Sequence, residues 1–361
     1  MRNGTYDGKS SQQQTRPTKR QSEARSTPGH RAQVPSRLLS LDVIRGIALC
    51  GIAFPNVISL WRIDPDSRQD NAAWLTQELL AHQRFFPVFT FLFGVGFSMI
   101  TASARRKGAN EAAVLARRLG TLPVLGLIHK TFQPGEALTV YAVCALVLLE
   151  PLTFIRLDLR RKVALLLGVV LTAVGTYFGG VLLVPGLLLL GFAAAEFGFP
   201  PLLDQDPRPA RRMLLVTLPL ALILSWFQYV DRIHSGFSFV SALAGLAVAV
   251  SWVCLIYVLL RSPLRSALGT MFSPLGRMAL TNYLGATIIL LVSRPMIGLP
   301  AENPDANEAL FLLAFSVVLL MLLVQWVFSH IWLRKFSQGP LEYLWRRVTW
   351  MGSFQRGGST T

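Results

Sequence analysis

Beyond Arg37 the chain is a succession of apolar stretches, each close to the length of a helix that crosses a bilayer, with charged or Pro/Gly-containing breaks between them. A spanning helix needs about 20 mostly apolar residues, because the hydrocarbon core is about 30 Å thick. The stretches are 41–61, 86–102, 115–131, 137–155, 163–180, 181–197, 212–230, 239–260, 276–293 and 309–330. In lipid every backbone amide must be satisfied within its own segment, so these stretches predict helices. The expected fold is all-α, a polytopic transmembrane helix bundle of about ten spans. Residues 163–197 are apolar throughout, too long for one crossing at 1.5 Å rise per residue. Gly179-Gly180 offers a reversal, followed by Pro185 and Gly186. Two spans, or one span and a re-entrant segment, both fit. Composition agrees with a membrane bundle: 52% of residues are hydrophobic and 15% charged, against about 25% charged in soluble domains.

Basic residues orient the bundle. With ten spans and the N-terminus inside, the cytoplasmic pieces hold 28 of the 35 Lys and Arg, the outer pieces hold 6, and Arg45 lies within the first span. That asymmetry follows the positive-inside rule and predicts cytoplasmic N- and C-termini. It also accounts for the net charge of +16 without nucleic acid as a partner. Residues 1–36 are polar and basic, too poor in large apolar residues for a core, and are expected to be a disordered tail. They lack the apolar region of a cleavable secretory signal. Residues 37–350 form the membrane domain, and 351–361 a flexible tail.

Cys50, Cys144 and Cys254 each lie inside an apolar run. They read as small apolar fillers, with neither a disulfide framework nor metal-ligand spacing. No metal site and no nucleotide-loop pattern is expected.

Polar groups inside spans are costly and therefore informative. Asp42 and Arg45 are three apart and share a helix face, and Asn56 returns to that face about 16 Å further on. Ser59 falls nearby. This stripe is expected to face the bundle interior, and Pro55 to free a backbone carbonyl beside it. An ion pair that only fixes helix height explains Asp42 and Arg45 equally well. Gly94 and Ser98 make a small-xxx-small pair at which another helix can approach.

The short turn Thr131-Phe132-Gln133-Pro134-Gly135 brings His129 and Glu136 to the same end of the bundle, with Tyr141 about one turn beyond. A carboxylate beside an imidazole orients the ring and makes a general base at neutral pH. An interfacial polar loop is the plainer reading. His82 precedes the second span and is a further candidate for that end. Glu150 and Glu196 are expected to pair with Arg156 or the basic loops. Ser273-Pro274 predicts a helix start, with Arg277, Thr281, Asn282 and Tyr283 following. Such a cluster suits an anionic headgroup or a cofactor phosphate, or anchors the helix. Leu341, Leu344, Trp345 and Val348 recur at helical spacing after Pro340, with Arg346 and Arg347 beside them and Glu342 four residues before Arg346. They predict a short amphipathic helix on the membrane interface, with Trp345 and Trp350 at headgroup depth.

Ser40 to Val57, SLDVIRGIALCGIAFPNV, resembles the opening of the YeiB-like family of bacterial membrane proteins, domain-of-unknown-function family 418. Phe89 to Phe97, His129 with Gly135-Glu136, Gly276 to Tyr283 and Gly339 to Arg346 look like its later signatures, the last two within a C-terminal region of about 200–350. The resemblance implies a multi-pass protein of the bacterial inner (plasma) membrane. The first-helix motif is also similar to that of membrane acyltransferases, the acyltransferase-3 proteins and the heparan-glucosaminide acetyltransferase relatives. These carry acyl groups from cytoplasmic acyl-CoA to acceptors across the membrane. By that likeness Arg45 and Arg277 would hold the phosphates of acyl-CoA, a donor substrate and not a permanently bound cofactor. His129 with Glu136 would deprotonate an extracytoplasmic glycan or lipid acceptor. Asn56 stands where the acyltransferase-3 pattern has histidine, and an amide cannot act as a base. Glu136 stands where the YeiB-like pattern has Asp. The rival readings are a transporter or exporter of a small solute or lipid, whose path the same stripe would line, and a structural membrane protein without chemistry.

Overall fold

A computed structural model describes Met1 and residues 38–63, 71–230, 238–299 and 307–351. The chain divides into two units, Met1–Arg37 and Leu38–Thr361. The expected tails, 1–36 and 351–361, lie almost wholly outside the described residues, as do Arg68, Arg232 and His234. The regular structure among the described residues is all helical, with no strand.

Each predicted apolar stretch is carried by a helix. In chain order the elements are α1 (Leu39–Trp61), α2 (Ala72–Leu80), α3 (Phe85–Arg106), α4 (Glu111–Lys130), α5 (Leu138–Leu152), α6 (Leu157–Phe178), α7 (Val184–Glu196), α8 (Phe199–Gln205), α9 (Arg208–Val230), α10 (Phe239–Leu259), α11 (Arg265–Arg277), α12 (Ala279–Met296), α13 (Glu308–Lys335) and α14 (Pro340–Thr349). Several starts are set by side-chain caps. Asn71 accepts from the amides of Ala73 and Trp74, Asn110 from Ala113, Ser238 from Ser241 and Asn307 from Leu310.

Among the described residues seven helices are individually long and apolar enough to cross a membrane, counting the stretch Ala72–Arg106 as one, and up to nine if two bent pairs each count as a span. One pair is Gly180–Glu196 with α8, bent by 61°, and the other is α11 with α12, bent by 78°. α5 is shorter, about 22 Å at 1.5 Å per residue. The reversal expected inside 163–197 is present. Gly179 and Gly180 both take positive φ, 74° and 57°, which an L side chain rarely adopts, and α7 folds back along α6. Ser273-Pro274 does not start a helix, contrary to the reading above. Pro274 lies inside α11, and the chain turns at Met278 instead.

Two faces of the bundle require an apolar surrounding. On α9 only 11% of the apolar window is buried, and Leu215, Val216, Leu222, Ile223 and Trp226 stand exposed. The corresponding window of α6 is 22% buried. Patches this large are not tolerated in water. A bilayer satisfies them.

Backbones approach closely inside. A Cβ on Gly94 would strike the Leu188 carbonyl, and one on Gly191 the Phe91 carbonyl, so α3 and α7 meet main chain to main chain. The small-residue pair expected on this stretch faces α7, where Ser98 Oγ also donates to Glu196 Oε1 at 3.3 Å. Gly46 and Gly276 do the same for α1 and α11: their Cβ positions would meet the carbonyls of Phe272 and Asp42.

One end of the bundle carries a charged knot. Arg160, 2% exposed, donates to Glu111 Oε2 at 2.9 Å and to Glu196 Oε1 at 3.1 Å, and Arg105 Nε donates to Glu111 Oε1 at 2.6 Å. Glu196 therefore pairs with Arg160 and Arg105, two cations of the basic segments between the apolar stretches, and not with Arg156, the other partner expected for it. α14 packs onto this end. Trp345 is 8% exposed; its Nε1 donates to the Arg118 carbonyl at 3.0 Å, and the Arg118 guanidinium lies 3.4 Å over its ring. Trp345 is thus a contact between α14 and α4, because the apolar face of α14 finds protein to cover it.

Candidate functional site

At the end of the bundle away from that knot, polar side chains from five elements enclose one cavity of about 400 Å³. α1 contributes Asn56, the turn before α3 contributes His82 and Gln83, the segment before α5 contributes Glu136, α5 contributes Tyr141, and α12 contributes Tyr283. Phe86 and Phe89 of α3 complete the apolar wall. The volume lies within the range of small-molecule sites, and an apolar lining with a few convergent polar groups is their usual form.

The turn that holds His82 is fixed from several sides. Arg84 is fully buried. It donates from Nε to the Leu79 carbonyl at 3.0 Å, from Nη1 to the Ser241 carbonyl at 3.5 Å, and from Nη2 to Gln228 Oε1. Gly245 leaves room for the Gln83 carbonyl, which a Cβ there would displace. Gln83 has φ 55°, costly for a residue with a side chain. On this support His82 Nδ1 donates to Glu78 Oε2 at 2.8 Å. A carboxylate accepts only, so this bond places the proton on Nδ1 of the neutral ring and leaves the Nε2 lone pair for another partner.

His129 and Glu136, paired in the sequence reading, are not hydrogen-bonded to each other. Glu136 is 8% exposed, and its oxygens accept from the amides of Leu138 and Thr139, the latter at 3.0 Å, at the start of α5. His129 Nε2 shares a hydrogen bond with Thr287 Oγ1 at 2.8 Å, and its ring centroid lies 5.0 Å from that of Tyr283. Tyr283 thus stands between His129 and the cavity it lines. Tyr141 shares a 3.0 Å hydroxyl hydrogen bond with Thr90. Buried polar atoms without a hydrogen-bond partner gather in this region: His129 Nδ1, both amide atoms of Gln133, Thr139 Oγ1 and Gln83 Oε1.

The remaining predicted residues lie elsewhere. Asp42 and Arg45 form an ion pair at 3.7 Å near the start of α1. Arg277 Nη2 donates to the Ser337 carbonyl at 3.0 Å. Asn282 Nδ2 donates to Ser329 Oγ at 3.1 Å, and Gln325 donates to the Asn282 carbonyl at 2.8 Å, so Asn282 ties α12 to α13. Ser59, expected on the inward stripe, is instead exposed, near Gly135 at the rim of the cavity. Among the described residues no group of three or more His, Cys, Asp or Glu is arranged to hold a metal.

His82 was visible in sequence only as a candidate, and Glu78 not at all. The signal was their i,i+4 spacing, which on a helix brings a carboxylate to an imidazole. Glu78 lies on α2 and His82 in the turn just past its end, outside the apolar stretches that marked the spans.

Residues 202–352 match a family described as Protein of unknown function (DUF418). Over 344 residues, 88% of this chain and 95% of the relative, the sequence is 30% identical to an uncharacterized 39.9 kDa protein in the amylase 3′ region of Bacillus acidopullulyticus. It is 25% identical to the uncharacterized protein YxaH of Bacillus subtilis, over 87% of this chain and 94% of that one. It is 27% identical to the uncharacterized protein YeiB of Escherichia coli, over 87% and 96%.

Proposed function

This chain belongs to the YeiB-like DUF418 family, and from that premise and the geometry of its polar cavity we propose that it is a multi-pass acyltransferase of the bacterial inner membrane. The termini and the charged knot face the cytoplasm, in line with the 28-to-6 split of basic residues. The polar cavity then opens toward the outer side and receives the acceptor, a hydroxyl or amine of an extracytoplasmic lipid or glycan.

The observation that carries this reading is the convergence of Asn56, His82, Glu136, Tyr141 and Tyr283 on one cavity. His82 Nε2 takes the proton from the acceptor O–H or N–H, with Glu78 stabilising the imidazolium. The acceptor atom bonds to the thioester carbonyl carbon of acyl-CoA, the C–S bond breaks, and the departing thiolate takes a proton to leave as CoA. Asn56 and the two tyrosines orient the acceptor. Arg45 lies eleven residues before Asn56, about 16 Å along α1. That is the distance between the phosphate-binding role given to Arg45 and the cavity.

The test uses membranes from cells lacking the protein, with and without the wild-type chain restored, supplied with radiolabelled acyl-CoA on the cytoplasmic side. Label on an extracytoplasmic lipid or glycan only in the restored membranes is the expected result. Identical labelling in the two would overturn the proposal.

A further inference from the structure

The charged end of the bundle carries a second cavity, of about 740 Å³, formed where the end of α3 meets α14. Lys107 walls it on one side, and Tyr343, Arg346, Arg347 and Trp350 on the other. Lys107 Nζ lies 3.9 Å from the centre of the Trp350 ring. Arg346 Nη1 donates to Gln338 Oε1 at 3.5 Å. Three cations around one concavity repel one another, and the cost falls when an anion sits among them.

The acid whose spacing would pair it with Arg346 is drawn away. Glu342, four residues before Arg346, turns its carboxylate to the start of α12. It accepts there from the amides of Leu280 and Thr281, at 2.7 and 3.1 Å, and from Thr281 Oγ1 at 2.6 Å. The ion pair that the spacing of Glu342 and Arg346 predicts is therefore replaced by a helix cap. Among the described residues neither Arg346 nor Arg347 forms an ion pair with a carboxylate, while the exposed Arg161 at the same end does, with Asp158 at 3.1 Å. The contacts of Glu342 and of Trp345 with Arg118 hold α14 from beneath. They leave Arg346 and Arg347 on a fixed outer face.

We propose that this cavity binds a phosphate-bearing ligand, with the phosphates on Lys107, Arg346 and Arg347 and a flat or apolar part of the ligand against Trp350 and Tyr343. Guanidinium groups grip phosphate oxygens in pairs, and aromatic faces accept a base or a glycerol backbone. The volume suits a ligand of nucleotide or lipid-headgroup size. The site stands on its own cations and rings and does not depend on the acyl-transfer reading. Two sources share this chemistry: a soluble nucleotide of the coenzyme A type, and the headgroup of an anionic lipid.

The experiment purifies the full chain in neutral detergent and titrates it with coenzyme A and with 3′,5′-ADP. A parallel arm reconstitutes it in nanodiscs with and without phosphatidylglycerol and counts lipid retained after delipidation. Wild type is compared with Arg346→Ala/Arg347→Ala, with Lys107→Ala, and with Arg334→Ala, an exposed cation at the same end outside the cavity. Thermal unfolding checks that each variant is folded. Saturable nucleotide binding weakened about tenfold or more by the cavity variants, and not by Arg334→Ala, assigns the site to a nucleotide. The same pattern in retained phosphatidylglycerol alone assigns it to lipid. Binding that is absent in both arms, or equally weakened by Arg334→Ala, overturns the proposal.

Discussion

His82 donates through Nδ1 to Glu78 at 2.8 Å, on the wall of the cavity that Glu136 also lines. The dyad has the form that the acceptor base requires, one ring nitrogen fixed by a carboxylate and the other left for a substrate proton. Removing His82 is therefore expected to be more severe than removing its partner. In the labelled acyl-CoA assay, His82→Ala should lower transfer about 10²–10⁴-fold, the usual share of general-base catalysis. Glu78→Gln keeps a hydrogen bond and should cost less. Wild-type transfer in both variants would remove the dyad from the mechanism.

His129 and Glu136 make the contrast instructive. Seven residues apart across a Pro-Gly turn, they read as neighbours, and the turn does bring them to one end of the bundle. Yet a carboxylate just ahead of a helix meets amides with no intrahelical partner, and Glu136 accepts from those of Leu138 and Thr139. Local chemistry takes precedence over pairing with the imidazole. The apolar helices were legible because hydropathy belongs to each segment alone. The partner of Gly94 was not, because nothing near Gly94 in sequence specifies that the Leu188 main chain will lie against it. Trp345 shows the same limit: its amphipathic spacing was plain, but not that bundle rather than lipid would cover it.

The glycine contacts predict a graded response to size. Gly276→Ala places a methyl against the Asp42 carbonyl, and Gly94→Ala places one against Leu188. Neither neighbour is a movable side-chain end, so each variant should lose about 1–3 kcal/mol of stability. Gly96 has nothing within 4 Å of its Cβ position, and Gly96→Ala should change little or stabilise slightly. Unfolding of purified protein in one detergent, followed by intrinsic tryptophan fluorescence, checks the order.

Arg160 neutralises two carboxylates at once, Glu111 and Glu196, while itself nearly fully buried. Arg160→Met should destabilise the fold by about 3 kcal/mol, because it leaves Glu111 and Glu196 sharing the single, more exposed guanidinium of Arg105. Adding Glu196→Gln to Arg160→Met should restore part of the loss, since one of the stranded charges is gone. A double variant no more stable than the single one would show that Arg160 acts through packing on Phe192, whose ring lies 5.8 Å from its guanidinium carbon.

The orientation proposed from the basic residues has a direct readout. Replacing Cys50, Cys144 and Cys254 by Ala gives a background in which single cysteines report exposure to an impermeant thiol reagent. Arg106 ends α3 at the charged knot, and Thr131 follows α4 at the cavity end; both are exposed. In intact spheroplasts Thr131→Cys should label and Arg106→Cys should not, and permeabilised cells should label both. The reverse pattern would turn the bundle over. It would place the polar cavity on the cytoplasmic side and remove the need for an acyl group to cross the membrane at all.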